Sequence, residues 1–143
     1  MYRMTKAITA AAVVLVFSLM SSAQVAAQQR DNEPQRVEDV EELLDSITRY
    51  KGQTVRVSGE VEEIIDQKAF ILESGGLFNN EIVVLVPQGN LTVMEGIDVT
   101  VTGTVRVISL IEIDREYGWG LEPYMRVELE DVDTFLVADH VEL

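Results

Sequence analysis

From Thr54 onward, apolar and polar residues alternate with a period of two. The stretch "VRVSGEV", residues 55–61, puts Val55, Val57, Gly59 and Val61 on one face and Arg56, Ser58 and Glu60 on the other. "VTVTGTV", residues 99–105, repeats the same Val-x-Val-x-Gly-x-Val pattern. There Val99, Val101, Gly103, Val105 and then Val107 share the inner face, against Thr100, Thr102, Thr104 and Arg106. Both stretches read as strands buried on one side. Before them, Val37, Val40, Leu44, Ile47 and Tyr50 fall at helical spacing, with acids early and Arg49 and Lys51 late, so 37–50 reads as an amphipathic helix stopped by Gly52.

Between the repeats, "KAFILE" (68–73) and "EIVVLV" (81–86) read as two more strands. The second is apolar on both faces, as in a strand covered from both sides. Adjacent Ile64 and Ile65 break the alternation of the first strand and predict a bulge there. After the second repeat, Ser109-x-x-Glu112 is a capping box, and Leu110, Ile113 and Tyr117 follow on one helical face. "GWGLEPYM" reads as a turn-rich loop and "RVELEDVD" stays ambiguous; "TFLVADHVEL" closes the chain as a strand.

A glycine inside a strand weakens it, so two long strands that each carry one point to a geometric need. A long strand in a small barrel must bend to join both halves of the sheet, and glycine removes the side chain that would clash at the bend. The main strands are then 54–65, 68–73, 81–86, 97–108 and 134–141. The predicted fold class is all-β: a five-stranded OB-type barrel with an N-terminal helix and a short helix between strands four and five. In that barrel the first strand pairs with both the second and the fourth, so the two repeats should be neighbours. The alternative is a sandwich in which the glycines are incidental.

The N-terminal 27 residues carry Arg3 and Lys6, an apolar run over 7–20 and small residues before Ala27, the pattern of a cleaved signal peptide. The run is short for a membrane span, and an uncleaved anchor is the alternative. Residues 28–36 are polar and read as a flexible linker, leaving 37–143 as one domain. The expected location is periplasmic or secreted, with no stable membrane insertion after cleavage. With no cysteine, the fold has no disulfides and no thiol chemistry. The leader holds two of the 11 basic residues and none of the 25 acidic ones, so the mature chain is more acidic than the net −14 of the whole. Such a surface repels nucleic acid, and no basic run with interleaved aromatics offsets it.

On these residues (51–143) the chain resembles small exported bacterial OB-fold proteins, and is similar in outline to the periplasmic bacterial OB-fold family. The resemblance implies envelope stress tolerance and ligand binding. Its N-terminal helix and the insertion at 109–133 depart from that family.

No catalytic constellation is visible: His140 is the single histidine, there is no Gly-x-Ser-x-Gly element, and no cofactor is expected. The candidate ligand-binding residues are Phe70, Leu77, Phe78, Tyr117, Trp119 and Tyr124, apolar side chains in or near loops 76–80 and 117–125. These residues serve either as a binding surface or as caps on the barrel ends. Glu128, Glu130, Asp131 and Asp133 are the candidate weak cation site, since hard cations take several carboxylate oxygens. The expected function is a non-enzymatic binding module for a protein or small-molecule ligand. A calcium-responsive envelope stress protein is the alternative, and an oligonucleotide-binding domain a more distant one.

Overall fold

The computed structural model describes residues 33–75, 80–89 and 91–143. The expected signal peptide, most of the linker, and Leu77 and Phe78 lie outside the described residues. Residues Pro34–Leu143 form one compact unit. In chain order its elements are β1 (Gln35–Val37), α1 (Val40–Asp45), α2 (Ile47–Tyr50), β2 (Thr54–Asp66) and β3 (Ala69–Glu73). Then come β4 (Glu81–Leu85), β5 (Asp98–Val107), α3 (Leu110–Tyr117), α4 (Pro123–Glu128) and β6 (Thr134–Glu142). No helix among the described residues is long and apolar enough to cross a membrane.

Strands β2, β3, β4, β6 and β5 follow one another around a closed mixed barrel, and β5 returns to pair with β2. Only β4 and β6 run parallel within the closed ring. Strand β1 is the sixth strand and lies parallel to the start of β2, pairing Gln35 with Val55 and Val37 with Val57. The polar lead-in expected through Arg36 therefore ends earlier, because Gln35 and Arg36 already join the sheet.

The two repeats are antiparallel neighbours in register. Val57 faces Val101, and each glycine faces a valine of the other copy: Gly59 faces Val99 and Gly103 faces Val55. The seam therefore has local two-fold character. A Cβ on Gly59 would sit 2.6 Å from the Glu73 carbonyl oxygen, and one on Gly103 would sit 2.4 Å from that of Val137. Those oxygens belong to β3, to which β2 crosses after leaving β5, and to β6, which pairs along the other edge of β5. The register slips near both glycines: Glu62 is the extra residue of β2 after Val61, and Asp139 is the extra residue of β6 opposite Thr102 and Gly103. Glycine and slip together give the coil that closes a small ring. A second slip between Ile64 and Asp66 matches the adjacent isoleucines, which join different apolar clusters.

One cluster fills the barrel. It includes Val55, Val57, Val61, Phe70, Leu72, Val84, Val101, Val105 and Leu136, all fully buried. Tyr50, Val40 and Leu43 from α1 and α2 join it. Val107, expected on the inner face, is only half-buried at the end of β5. The second cluster lies outside the barrel wall. There Ala69, Val83, Leu85, Phe135 and Val137 pack against Leu110, Ile113, Leu121, Met125 and Leu129. Strand β4 is thus buried on both faces, as its continuous apolar run requires.

The stretch expected as one helix over 37–50 is a strand followed by two short helices. Asp39 explains the break at its start: its Oδ1 accepts from the Glu42 amide at 2.9 Å, so the helix begins at Val40 and leaves Val37 extended. Helix α4 arises where the sequence suggested only a loop and an ambiguous run. Pro123 stands in its first turn, where a missing amide proton does no harm, and Met125 and Leu129, four apart, bury together.

Candidate functional site

The insertion between β5 and β6 begins at a reciprocal cap. The Ser109 hydroxyl accepts from the Glu112 amide, while Glu112 Oε2 accepts from the Ser109 amide at 3.1 Å. Arg106 of β5 donates two bonds to the Glu116 carboxylate, at 3.0 and 2.8 Å, and ties α3 to the barrel. That pairing raises the Arg106 pKa and lowers that of Glu116. Helix α3 ends at Gly118, whose φ of 64° reverses the chain. The reversal stacks the flanking rings: the centroids of Tyr117 and Trp119 are 5.1 Å apart and their planes differ by 16°. Asp114 then fastens the return, accepting from the Leu121 amide at one oxygen and from Arg126 at the other, both at 3.3 Å.

This aromatic segment meets the turn between β2 and β3. Lys68 Nζ donates to the Trp119 carbonyl at 3.1 Å, and Asp66 Oδ1 accepts from the Lys68 amide at 2.5 Å. The Tyr124 hydroxyl stands 3.5 Å from Asp66 Oδ2. Partial desolvation and the Asp66 carboxylate both raise the pKa of that hydroxyl, so Tyr124 remains a neutral donor throughout the physiological range. Between turn and insertion lies an open cleft of about 290 Å³, lined by Asp66, Gln67, Lys68, Glu122 and Tyr124 among others. Its walls combine an aromatic ring, two carboxylates and one ammonium.

Of the predicted ligand-binding residues, the structure gathers Tyr117, Trp119 and Tyr124 at this end of the insertion. Tyr124 is 51% exposed and Tyr117 is 37% exposed, while Trp119 is half-buried against the outer cluster. Phe70, expected at the ligand surface, instead lies in the barrel core with no exposed surface. Asp66, Gln67 and Lys68 also line the cleft, and a tight turn with mixed charge gives no sequence signal of what it will face.

The predicted cation residues stay on the surface after α4. Glu128 ends that helix, Glu130 and Asp131 lie in the following turn, and Asp133 precedes β6, all exposed. Among the described residues, a different trio brings its carboxylate oxygens within 4.8 Å of one another: Glu62, Glu73 and Glu81, from β2, β3 and β4. Desolvation, then the hydrogen bond and charge of Glu81, raise the pKa of Glu62; desolvation, then Glu62 and Glu60, raise that of Glu73. The trio comes from cross-strand register, since Glu73 faces Glu81. His140 is exposed on β6, 3.7 Å from Glu142 Oε1. No protein-family model and no curated protein matches the chain.

Proposed function

We propose that the chain is an exported, non-enzymatic binding module of the cell envelope, built on an OB-type barrel. The barrel reading is supported by a first long strand that pairs with both the second and the fourth main strands. Export is supported by the leader pattern of residues 1–27. The observation that carries the binding reading is the junction of the aromatic insertion with the β2–β3 turn. It leaves a cleft of about 290 Å³ with a half-exposed tyrosine in its wall and a stacked aromatic pair adjoining it. Such a surface offers a flat apolar contact with polar groups at its edge, suited to a small polar ligand or a protein loop. The test is Tyr117→Ala with Tyr124→Ala, scored by cross-linked capture in intact cells and by melting of the purified protein. The reading expects capture to be lost with melting little changed, because both rings are exposed. Capture retained in full overturns it, and a collapsed fold makes these rings caps.

A second reading, a cation-responsive protein, is favoured by the Glu62, Glu73 and Glu81 trio rather than by residues 128–133. Three carboxylates fall short of a calcium shell, so any affinity would be weak. A rise in Tm with millimolar calcium that Glu73→Gln removes supports this reading. An unchanged Tm ends it.

A further inference from the structure

The outer side of the helical insertion carries a second feature, distinct from the turn cleft. A groove of about 370 Å³ runs between α3 and α4, with Leu110 and Leu121 at its floor. Its walls are Ile111 and Val127, which are 68% and 75% exposed. Neither contributes to the two buried clusters. Each helix therefore shows one large aliphatic side chain to water beside an apolar floor, where packing of the barrel asks for none.

Charge selects the occupant. Between Ser109 and Asp131 the chain carries seven acidic and two basic side chains. At the groove itself Arg126 is paired with Asp114 at 3.3 Å, while Glu130 stands exposed on the rim. A second copy of this chain would bring the same strongly acidic surface against this one, and an anionic membrane would be repelled likewise. A basic segment with apolar anchors meets both the groove and the field around it. We propose that the α3–α4 groove docks a basic amphipathic segment of a partner protein, one aliphatic or aromatic side chain entering between Ile111 and Val127.

The probe is a short fluorescent helical peptide of leucine and lysine, titrated onto the purified protein. Two control peptides accompany it, one with serine for leucine and one with glutamate for lysine. The decisive variant is Ile111→Glu with Val127→Glu. It adds negative charge, so attraction by charge alone would tighten binding, whereas loss of the apolar walls weakens it. The proposal expects the variant and the serine peptide each to weaken binding by about tenfold or more, and the glutamate peptide not to bind. Unchanged or tighter binding by the variant overturns the groove. Binding of the glutamate peptide overturns the charge assignment. Self-association of the unmodified protein, abolished by the variant, would assign the groove to a second copy instead. Tyr124→Ala should leave peptide affinity unchanged; a matching loss there would move the peptide to the turn cleft and overturn this site alone.

Discussion

Strand β5 turns Thr100, Thr102 and Thr104 outward, and all three stay half-exposed. Strand β4 turns Val83 and Leu85 outward, and both are buried beneath α3 and α4. The two strands fill the same barrel from inside and differ in what covers them. Alternating polar residues let β5 face water, whereas the apolar outer row of β4 must be covered. The insertion is therefore part of the fold on its inner side, where Ile113, Met125 and Leu129 are buried. On its outer side Ile111, Tyr117, Tyr124 and Val127 serve no packing purpose of that kind. Residues assigned to binding should come from the second set, and residues whose loss unfolds the protein from the first.

The sharpest break is expected at the seam of the repeats. Gly103→Val would press a side chain against the Val137 backbone, 2.4 Å from its carbonyl oxygen. Strand pairing cannot yield as a flexible side chain does, so the loss should be about 3 kcal/mol or more, read by urea unfolding. A variant as stable as the parent would mean that the glycine is incidental. Next comes Met125→Ala, which empties a fully buried position of the outer cluster and should cost about 2–5 kcal/mol. Hydrogen exchange should show α3 and α4 opening before the β2–β5 seam. Uniform loss of protection would mean that barrel and insertion open as one unit.

A smaller effect is expected at the start of the insertion. Ser109→Ala removes one half of the reciprocal cap and should cost about 1 kcal/mol, read by thermal melting. The least is expected from the glutamate trio, and its sign depends on pH. The pKa values of Glu62 and Glu73 are raised in the folded protein from the ordinary 4.5. Their protons favour the fold below that value, and the benefit is lost as pH rises through the raised folded value. Glu73→Gln should then raise Tm at neutral pH and leave it unchanged in acid. Glu116 runs the other way: its lowered pKa gives stability above the ordinary range that is lost as pH falls.

The seam was readable in advance because a valine pattern interrupted twice by glycine specifies strands, inner faces and a need for close approach at once. The double burial of β4 was equally plain from its composition. The helices were less so. Asp39-x-x-Glu42 is a start signal that competes with the longer apolar spacing beginning at Val37, and the local cap won. Pro123 with Met125 and Leu129 signals barely more than one turn, too little to stand out among glycines. The site was legible in part: Tyr117, Trp119 and Tyr124 were visible as aromatics in a loop, but the bond from Lys68 to the Trp119 carbonyl spans 51 residues of sequence and depends on the closed barrel. The glutamate trio depends on cross-strand register in the same way, whereas residues 128–133 merely lie close in sequence.

The most direct test of the binding surface is a photo-reactive residue placed at Tyr124 and, separately, at Thr102 on the uncovered β5 face, each cross-linked in intact cells. The proposed function predicts one dominant adduct from position 124 and none from position 102. Equal adducts from both positions, or none from 124, would contradict it.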